Sequence, residues 1–338
     1  MKKVMNFLGN QWGQRLTIIA LIMIVMAIFE QSFFKPSNAT NILLAISLYG
    51  IMACGMLFVV LIGGMDLSMG SMAALAAVLM SKSAYASGFT TAGFFTGVLI
   101  ALAACIVVGI VHGILVTYFS IPAFVVTLAT KYLIYGLVLL VTSGRYVQIL
   151  GKGIIQQLGN GRLFGTIPMP VVIFIIYAFV CTFILSKTVF GRRLYATGGN
   201  PVASQLVGIK TKSTTIVSFI ICSISAGIGG IILASQNMLA GPTTANGYEG
   251  NVMTAMVVGG LNLAGGEGGT AGAIFGALLV GIINNMLNLL GVPSDYTTFV
   301  QGVIIIVALS LNMYTSRRSQ GLLRVRQRKT NAKVPMTK

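Results

Sequence analysis

The stretch NILLAISLYGIMACGMLFVVLIGGMDLSMGS, residues 41–71, decides the fold. Positions 41–62 carry no charged side chain, and a helix needs about 20 mostly apolar residues to cross a bilayer. Backbone groups inside hydrocarbon must bond internally, so helix is the conformation expected of this run. Gly63, Gly64 and Gly70 then let the backbone leave helical geometry and approach a neighbour closely. Asp66, an ionisable residue beside hydrocarbon, is a candidate functional group on the cargo pathway together with Ser68. The competing reading makes Asp66 a cap at the interface, accepting N–H bonds from a helix that begins near Met69.

Working outward, comparable apolar runs occupy 16–34, 69–87, 93–119, 121–142, 168–187, 213–234, 251–264, 272–291 and 296–314. The expected fold is all-α, a polytopic membrane bundle of ten helices. A short N-terminus (1–15) precedes the membrane domain (16–314), and a basic tail (315–338) follows it. The first run lacks a small-residue cleavage site and reads as an uncleaved helix. Composition agrees: 56% of residues are hydrophobic and 8% charged, with a mean hydropathy of +0.92. A soluble domain carries about a quarter charged residues, so a soluble enzyme is excluded. Disorder, collagen and a disulfide scaffold are excluded too. Cys54, Cys105, Cys181 and Cys222 all lie in apolar runs without CxxC spacing and read as packing residues.

The charge is strongly basic, 22 Lys and Arg against 5 Asp and Glu. No aromatic-and-basic platform for nucleic acid appears, and the cations sit between apolar runs. Ten spans with both termini inside place Lys2, Lys3, Arg15, Lys187, Arg192, Arg193, Lys210, Lys212 and the whole basic tail on the cytoplasmic side. Lys35, Lys82, Arg145, Lys152 and Arg162 fall outside. That distribution follows the positive-inside rule; the inverted topology violates it.

VVLIGGMDLSMG (59–70) aligns with AMVVGGLNLAGG (255–266), which suggests an internal repeat and sets Asn262 opposite Asp66. Paired Gly-interrupted segments of this kind point to a translocation region. Between them lies TVFGRRLYATGGNPVASQLVGIKTKS (188–213). Asn200-Pro201 is a helix-start signal, after which Val202, Leu206 and Ile209 share a face for about two turns. Such a helix can dock another protein or lie on lipid headgroups.

These motifs, with IPAFVVTLAT (121–130) and VVGGLNLAGGEGGTAGAIFGALLVGIINN (257–285), occur in an order and spacing that resemble the membrane permease subunit of bacterial ATP-binding-cassette importers for ribose, galactose, xylose and related simple sugars. The likeness runs from residue 16 to about 314. It implies a homodimeric inner-membrane permease serving a cytoplasmic ATPase and a periplasmic or lipid-anchored sugar-binding protein. Gly191, Arg192, Arg193, Gly199, Asn200, Pro201 and Gly208 would form the ATPase-coupling segment, and no cofactor or metal is implied. Two departures stand out. The family usually reads Glu-Leu-Asp-Ala where this chain has Glu249-Gly250-Asn251-Val252, and Lys131 replaces an apolar or small residue.

Other polar residues inside the spans are few. Asn284 and Asn288 share a helix face and can bond cargo hydroxyls or a neighbouring helix. Lys131 can snorkel, pair with an acid or line a wet path. Gly109 with Gly113, and Gly272 with Gly276, have the spacing of close helix packing; His112 beside them reads as a packing residue. Asn38-Ala39-Thr40 matches a glycosylation sequon. No phosphate-binding G-x-x-x-x-G-K-[ST] loop is present, so energy for uphill transport must come from a partner ATPase or an ion gradient. The alternative, an ion-coupled secondary transporter, calls for a buried carboxylate near the midplane. Glu30, Asp66, Glu249, Glu267 and Asp295 instead fall near span ends. A third reading is a scaffold whose basic tail holds anionic lipid.

Overall fold

The computed structural model describes residues 30–150 and 153–293, with isolated positions in 23–28 and 296–306. The expected first span lies partly, the last span largely, and the N-terminus 1–15 and the basic tail wholly outside these residues. A 3-10 turn, Gln31–Phe34, leads into α1, Pro36–Leu61, with Pro36 supplying the fixed φ of a first helical position. There follow α2 (Met69–Ala86), α3 (Thr91–Thr117) and α4 (Ala123–Thr142). Next come strand β1 (Val147–Gln148), short helix α5 (Ile154–Asn160), strands β2 (Arg162–Leu163) and β3 (Ile167–Pro168), and α6 (Met169–Lys187). The chain then forms α7 (Val189–Gly199), α8 (Pro201–Leu206), α9 (Thr211–Asn237), β4 (Leu239–Ala240), α10 (Tyr248–Val258) and α11 (Thr270–Leu289).

Six of these helices, α1, α3, α4, α6, α9 and α11, are long and apolar enough to cross a membrane. The run expected at 251–264 is shorter than a span. Its helix α10 has 11 residues, about 16 Å at 1.5 Å per residue, or half a hydrocarbon core. Glycines at 259 and 260 end it, so helix makes up only part of the passage from the strand end to the other end of the bundle. The run at 69–87 forms the whole of α2, with Lys82 near its end donating to the Val141 carbonyl at 2.6 Å.

Burial sorts the helices into two tiers. In α1, 78% of the most apolar window is buried, against 22% in α4 and 28% in α3 and α6. α1 and α9 therefore form the centre, with α2, α10 and α11 around them, while α3, α4 and α6 turn apolar faces outward, as lipid requires. Because lipid tails are as apolar as leucine, association inside a bilayer depends on close van der Waals contact, which small residues permit. A Cβ on Gly109 would lie 2.7 Å from Ile220 Cα, and one on Gly113 2.5 Å from Ile216 Cα, so α3 and α9 touch backbone to backbone. Gly276 and Gly272 press on Ala255 and Gly259 of the preceding segment in the same way. Both expected glycine pairs thus pack helices.

Two antiparallel ladders gather at one end of the bundle, Val147 opposite Ala240 and Leu163 opposite Ile167. Asn160 fastens α5 there, donating to the carbonyls of Ser235 (3.3 Å) and Gln236 (3.1 Å). The α1–α2 turn, α7 and the turn after α10 meet at the other end.

Candidate functional site: a glycine joint and a buried polar cluster

The joint is built from three glycine-containing segments. After α1, Gly63 adopts φ +77°, a left-handed conformation that turns the chain back toward α2. Asp66 Oδ1 accepts from the Ser68 N–H (2.8 Å) and hydroxyl (2.6 Å), forming an Asx turn. The expected cap on the turn beginning at Met69 is not formed; Ser68 itself occupies the N-cap position. After α10, Asn262 Oδ1 accepts from the Ala264 N–H at 3.0 Å, the same turn at the aligned position. The two turns touch: Gly266 N–H donates to the Leu61 carbonyl at 2.9 Å, and a Cβ on Gly63 would lie 3.0 Å from the Ala264 oxygen.

Helix α7 closes this joint. Thr188 caps it through Gly191 N–H (3.2 Å), and Gly191 lies against the Ile184 and Leu185 carbonyls, where a side chain would overlap. Phe190 stacks on Phe58 at 6.2 Å, Leu194 is fully buried, and the Tyr195 hydroxyl donates to the Gly268 carbonyl at 2.7 Å. Burial pushes the Tyr195 phenol above its ordinary range and keeps it a donor. Gly198 sits between the two turns: a Cβ there would overlap the Leu61 oxygen and lie 2.7 Å from Gly266 N. Asn200 starts α8 as expected, accepting from Ala203 N–H at 3.0 Å, with Pro201 first in the helix. Helix α8 ends at Leu206, shorter than the two turns expected, and Gly208 turns out of it at φ +82°. Arg192, Arg193 and Gly199 are exposed, as are Val202 (68%), Leu206 (84%) and Val207 (77%).

Deeper in the bundle a second group forms. Asn251 and Asn284 each donate an amide N–H to the Tyr49 hydroxyl at 3.2 Å, and Asn284 reaches Asn251 Oδ1 at 3.4 Å. Asn284 thus bonds to neighbouring helices. Asn288 is exposed and lies apart from it. Its near neighbour Asn285 instead exchanges amide bonds with Asn38 (2.8 and 3.0 Å), which buries Asn38 and removes it as a glycan acceptor. Tyr49 packs on the Tyr248 ring at 5.0 Å.

Lys131 pairs with an acid: its Nζ lies 2.7 Å from Glu249 Oε1. Glu249 is buried and its carboxylate fills the space beside Gly70, at the start of α2. Its position at the edge of an apolar run suggested a span end. The segment between β4 and the short helix α10 instead carries it into the bundle. Asp66 and His112 are likewise fully buried, with Asp66 Oδ2 at 3.7 Å from His112 Nδ1. Neither that oxygen nor either imidazole nitrogen has a hydrogen-bond partner. Among the described residues no three His, Cys, Asp or Glu side chains converge as metal ligands would.

The sequence did not single out Tyr49, Tyr248, Asn285 or Gly198, and it marked Asn38 only as a sequon and not as a partner of Asn285. Only the adjacency of Asn284 and Asn285, and of Gly198 and Gly199, gave a signal.

Over residues 38–309 the chain matches the family described as branched-chain amino acid transport system / permease component. The chain belongs to this permease family. The permease is 35% identical over 315 residues to the ribose import permease protein RbsC of Bacillus subtilis (strain 168), covering 92% of this chain and 93% of that protein. To RbsC of Escherichia coli (strain K12) it is 35% identical over 302 residues, 87% and 91% of the two chains. To the L-arabinose transport system permease protein AraH of the same strain it is 33% identical over 311 residues, 91% and 93%. No solved structure matches the permease. The resemblance to simple-sugar importer permeases is thereby borne out, and with its apolar helices the permease is a multi-pass membrane protein.

Proposed function

We propose that this permease is the membrane subunit of an importer for a small neutral sugar or related polyol, switched between outward and inward access by a separate ATPase. The observation that carries this is Gly198: one glycine of α7 is clamped between the two Gly-Gly turns. A force on the exposed surface of α7 and α8 therefore reaches both turns without an intervening flexible segment. Arg192, Arg193, Val202, Leu206 and Val207 offer the ATPase a basic and apolar face. A ligand or partner shifts a two-state equilibrium only by its differential affinity for the states, so the ATPase must grip α7–α8 differently in each.

The cargo reading rests on the relatives, which are named for ribose and L-arabinose, and on the neutral Tyr49–Asn251–Asn284 cluster. We further propose ten spans in the inner membrane, both termini cytoplasmic, a homodimer, and an external binding protein at the strand end. The matched Asx turns at Asp66 and Asn262 support an internal repeat. Asp66, Ser68, Lys131, Asn251, Asn262 and Asn284 remain pathway candidates. The Lys131–Glu249 pair is what favours the ion-coupled alternative. Proteoliposomes containing the permease, its ATPase and its binding protein decide between them. Monosaccharide uptake that needs ATP and survives a protonophore is the expected result. Uptake that persists without ATP and stops with the protonophore sinks the importer.

A further inference from the structure

At the strand end, pairing of Val147–Gln148 with Leu239–Ala240 holds segment 241–247 over the start of α10. Beneath it lies a cavity of about 320 Å³. Its polar lining comes from Tyr146, Asn237, Thr243, Thr244, Asn246 and Tyr248. None of these side chains carries a charge. Ligand pockets run from about 300 to 1,000 Å³, so this one is sized for a single small ring.

The cavity has a roof and a floor. Over the roof, the Tyr146 ring covers Gly241, where a Cβ would lie 2.6 Å from Cε1, and the Tyr146 hydroxyl meets that of Thr243. Thr244 Oγ1 accepts from Gly241 N–H at 2.9 Å and shapes the turn. The floor is Tyr248, packed on Tyr49, whose hydroxyl already holds the Asn251 and Asn284 amides. The neutral lining thus continues inward as a neutral hydrogen-bonding cluster. Beside it, the charges of Lys131 and Glu249 are spent on each other.

We propose that this cavity is the permease's own cargo site, taking one neutral monosaccharide and rejecting amino acids. The proposal deepens the importer reading and rests on it. A ring sugar offers hydroxyls to the amides and threonines, and an apolar C–H face to the two tyrosines. An amino acid would bring a carboxylate and an ammonium to a lining that offers neither a cation nor an anion to pair with them. This chemistry separates sugar from amino acid within a family whose description names the latter.

The test uses the full-length permease in detergent or nanodiscs. Asn246 is exposed at the cavity, whereas the native Cys54, Cys105, Cys181 and Cys222 are buried, so Asn246→Cys gives a selective handle. Its modification by a small thiol reagent is timed alone and with D-ribose, L-arabinose, D-galactose or L-leucine up to about 100 mM. The expected result is at least threefold slowing by one or more of the sugars and none by leucine. A second variant, Tyr146→Phe, is expected to raise the half-protecting sugar concentration severalfold without changing the melting temperature. Protection by leucine, or by none of the four, overturns the assignment. ATP-driven uptake by the reconstituted wild type is measured in parallel. If a sugar is transported but does not protect, the cavity fails alone; if no ATP-driven uptake occurs, the importer reading fails with it.

Discussion

Gly198 has no room for a side chain, which makes it the sharpest single-residue probe of the joint. Gly198→Ala must push α7 away from Leu61 and Gly266. Overpacking of this kind costs about 1–3 kcal/mol, so the variant is expected to melt a few degrees lower and to hydrolyse ATP, with its partner, uncoupled from uptake. Equal losses of uptake and hydrolysis would argue against a transmitting role. Lys131 and Glu249 make a second pair of probes. Removing Lys131 leaves the Glu249 carboxylate buried and unpaired, a loss of up to about 3–5 kcal/mol; removing Glu249 strands an ammonium that is still partly exposed and loses less, and replacing both is often nearly neutral. Lys131→Met and Glu249→Gln should each lower thermal stability in detergent, and the double variant should recover most of it. Strictly additive losses would mean that the two groups do not interact. Asp66→Ala removes two bonds to Ser68 and is expected to lose about 1–3 kcal/mol. Asp66→Asn, which keeps an acceptor oxygen, should stay close to wild type in the same melt.

At the scale of elements, α8 and α10 are both shorter than their apolar patterns suggest, for the same reason. Asn200-Pro201 and Gly208 bound α8, and Gly259-Gly260 end α10, so backbone conformation overrides side-chain polarity at both. The exposed apolar residues of α8 carry a clean test. Leu206→Glu adds a charge to an 84% exposed position, and surface changes rarely move stability by more than about 0.5 kcal/mol. It is expected to weaken capture of the ATPase subunit at least tenfold, about 1.4 kcal/mol, with the melting temperature unchanged. Unaltered capture would remove α8 from the coupling surface. Leu206→Cys tests sidedness in the same place. A membrane-impermeant thiol reagent should reach it in inverted vesicles and not in right-side-out cells, and the opposite pattern would reverse the orientation.

For the whole molecule, local signals and long-range ones part cleanly. The apolar runs between 41 and 291 all contain helix, and the turn at 63–70, the helix start at Asn200-Pro201 and the two packing pairs of glycines were legible where they stand. Length, hydropathy and glycine punctuation act through the backbone of one segment, so one segment suffices to read them. No such rule says which face of α11 meets α1, and the choice of Asn285 rather than Asn288 as a bonded amide follows from that packing alone. The same holds for Lys131, whose partner is 118 residues away, and for Glu249, carried inward by a half-length helix. A lipid-solvated helical protein was determined by the chain's composition and periodicity, because hydrocarbon tolerates little else. The joint around Gly198, the Lys131–Glu249 ion pair and the neutral cavity were decided only in three dimensions, because close packing and charge pairing depend on which surfaces arrive together.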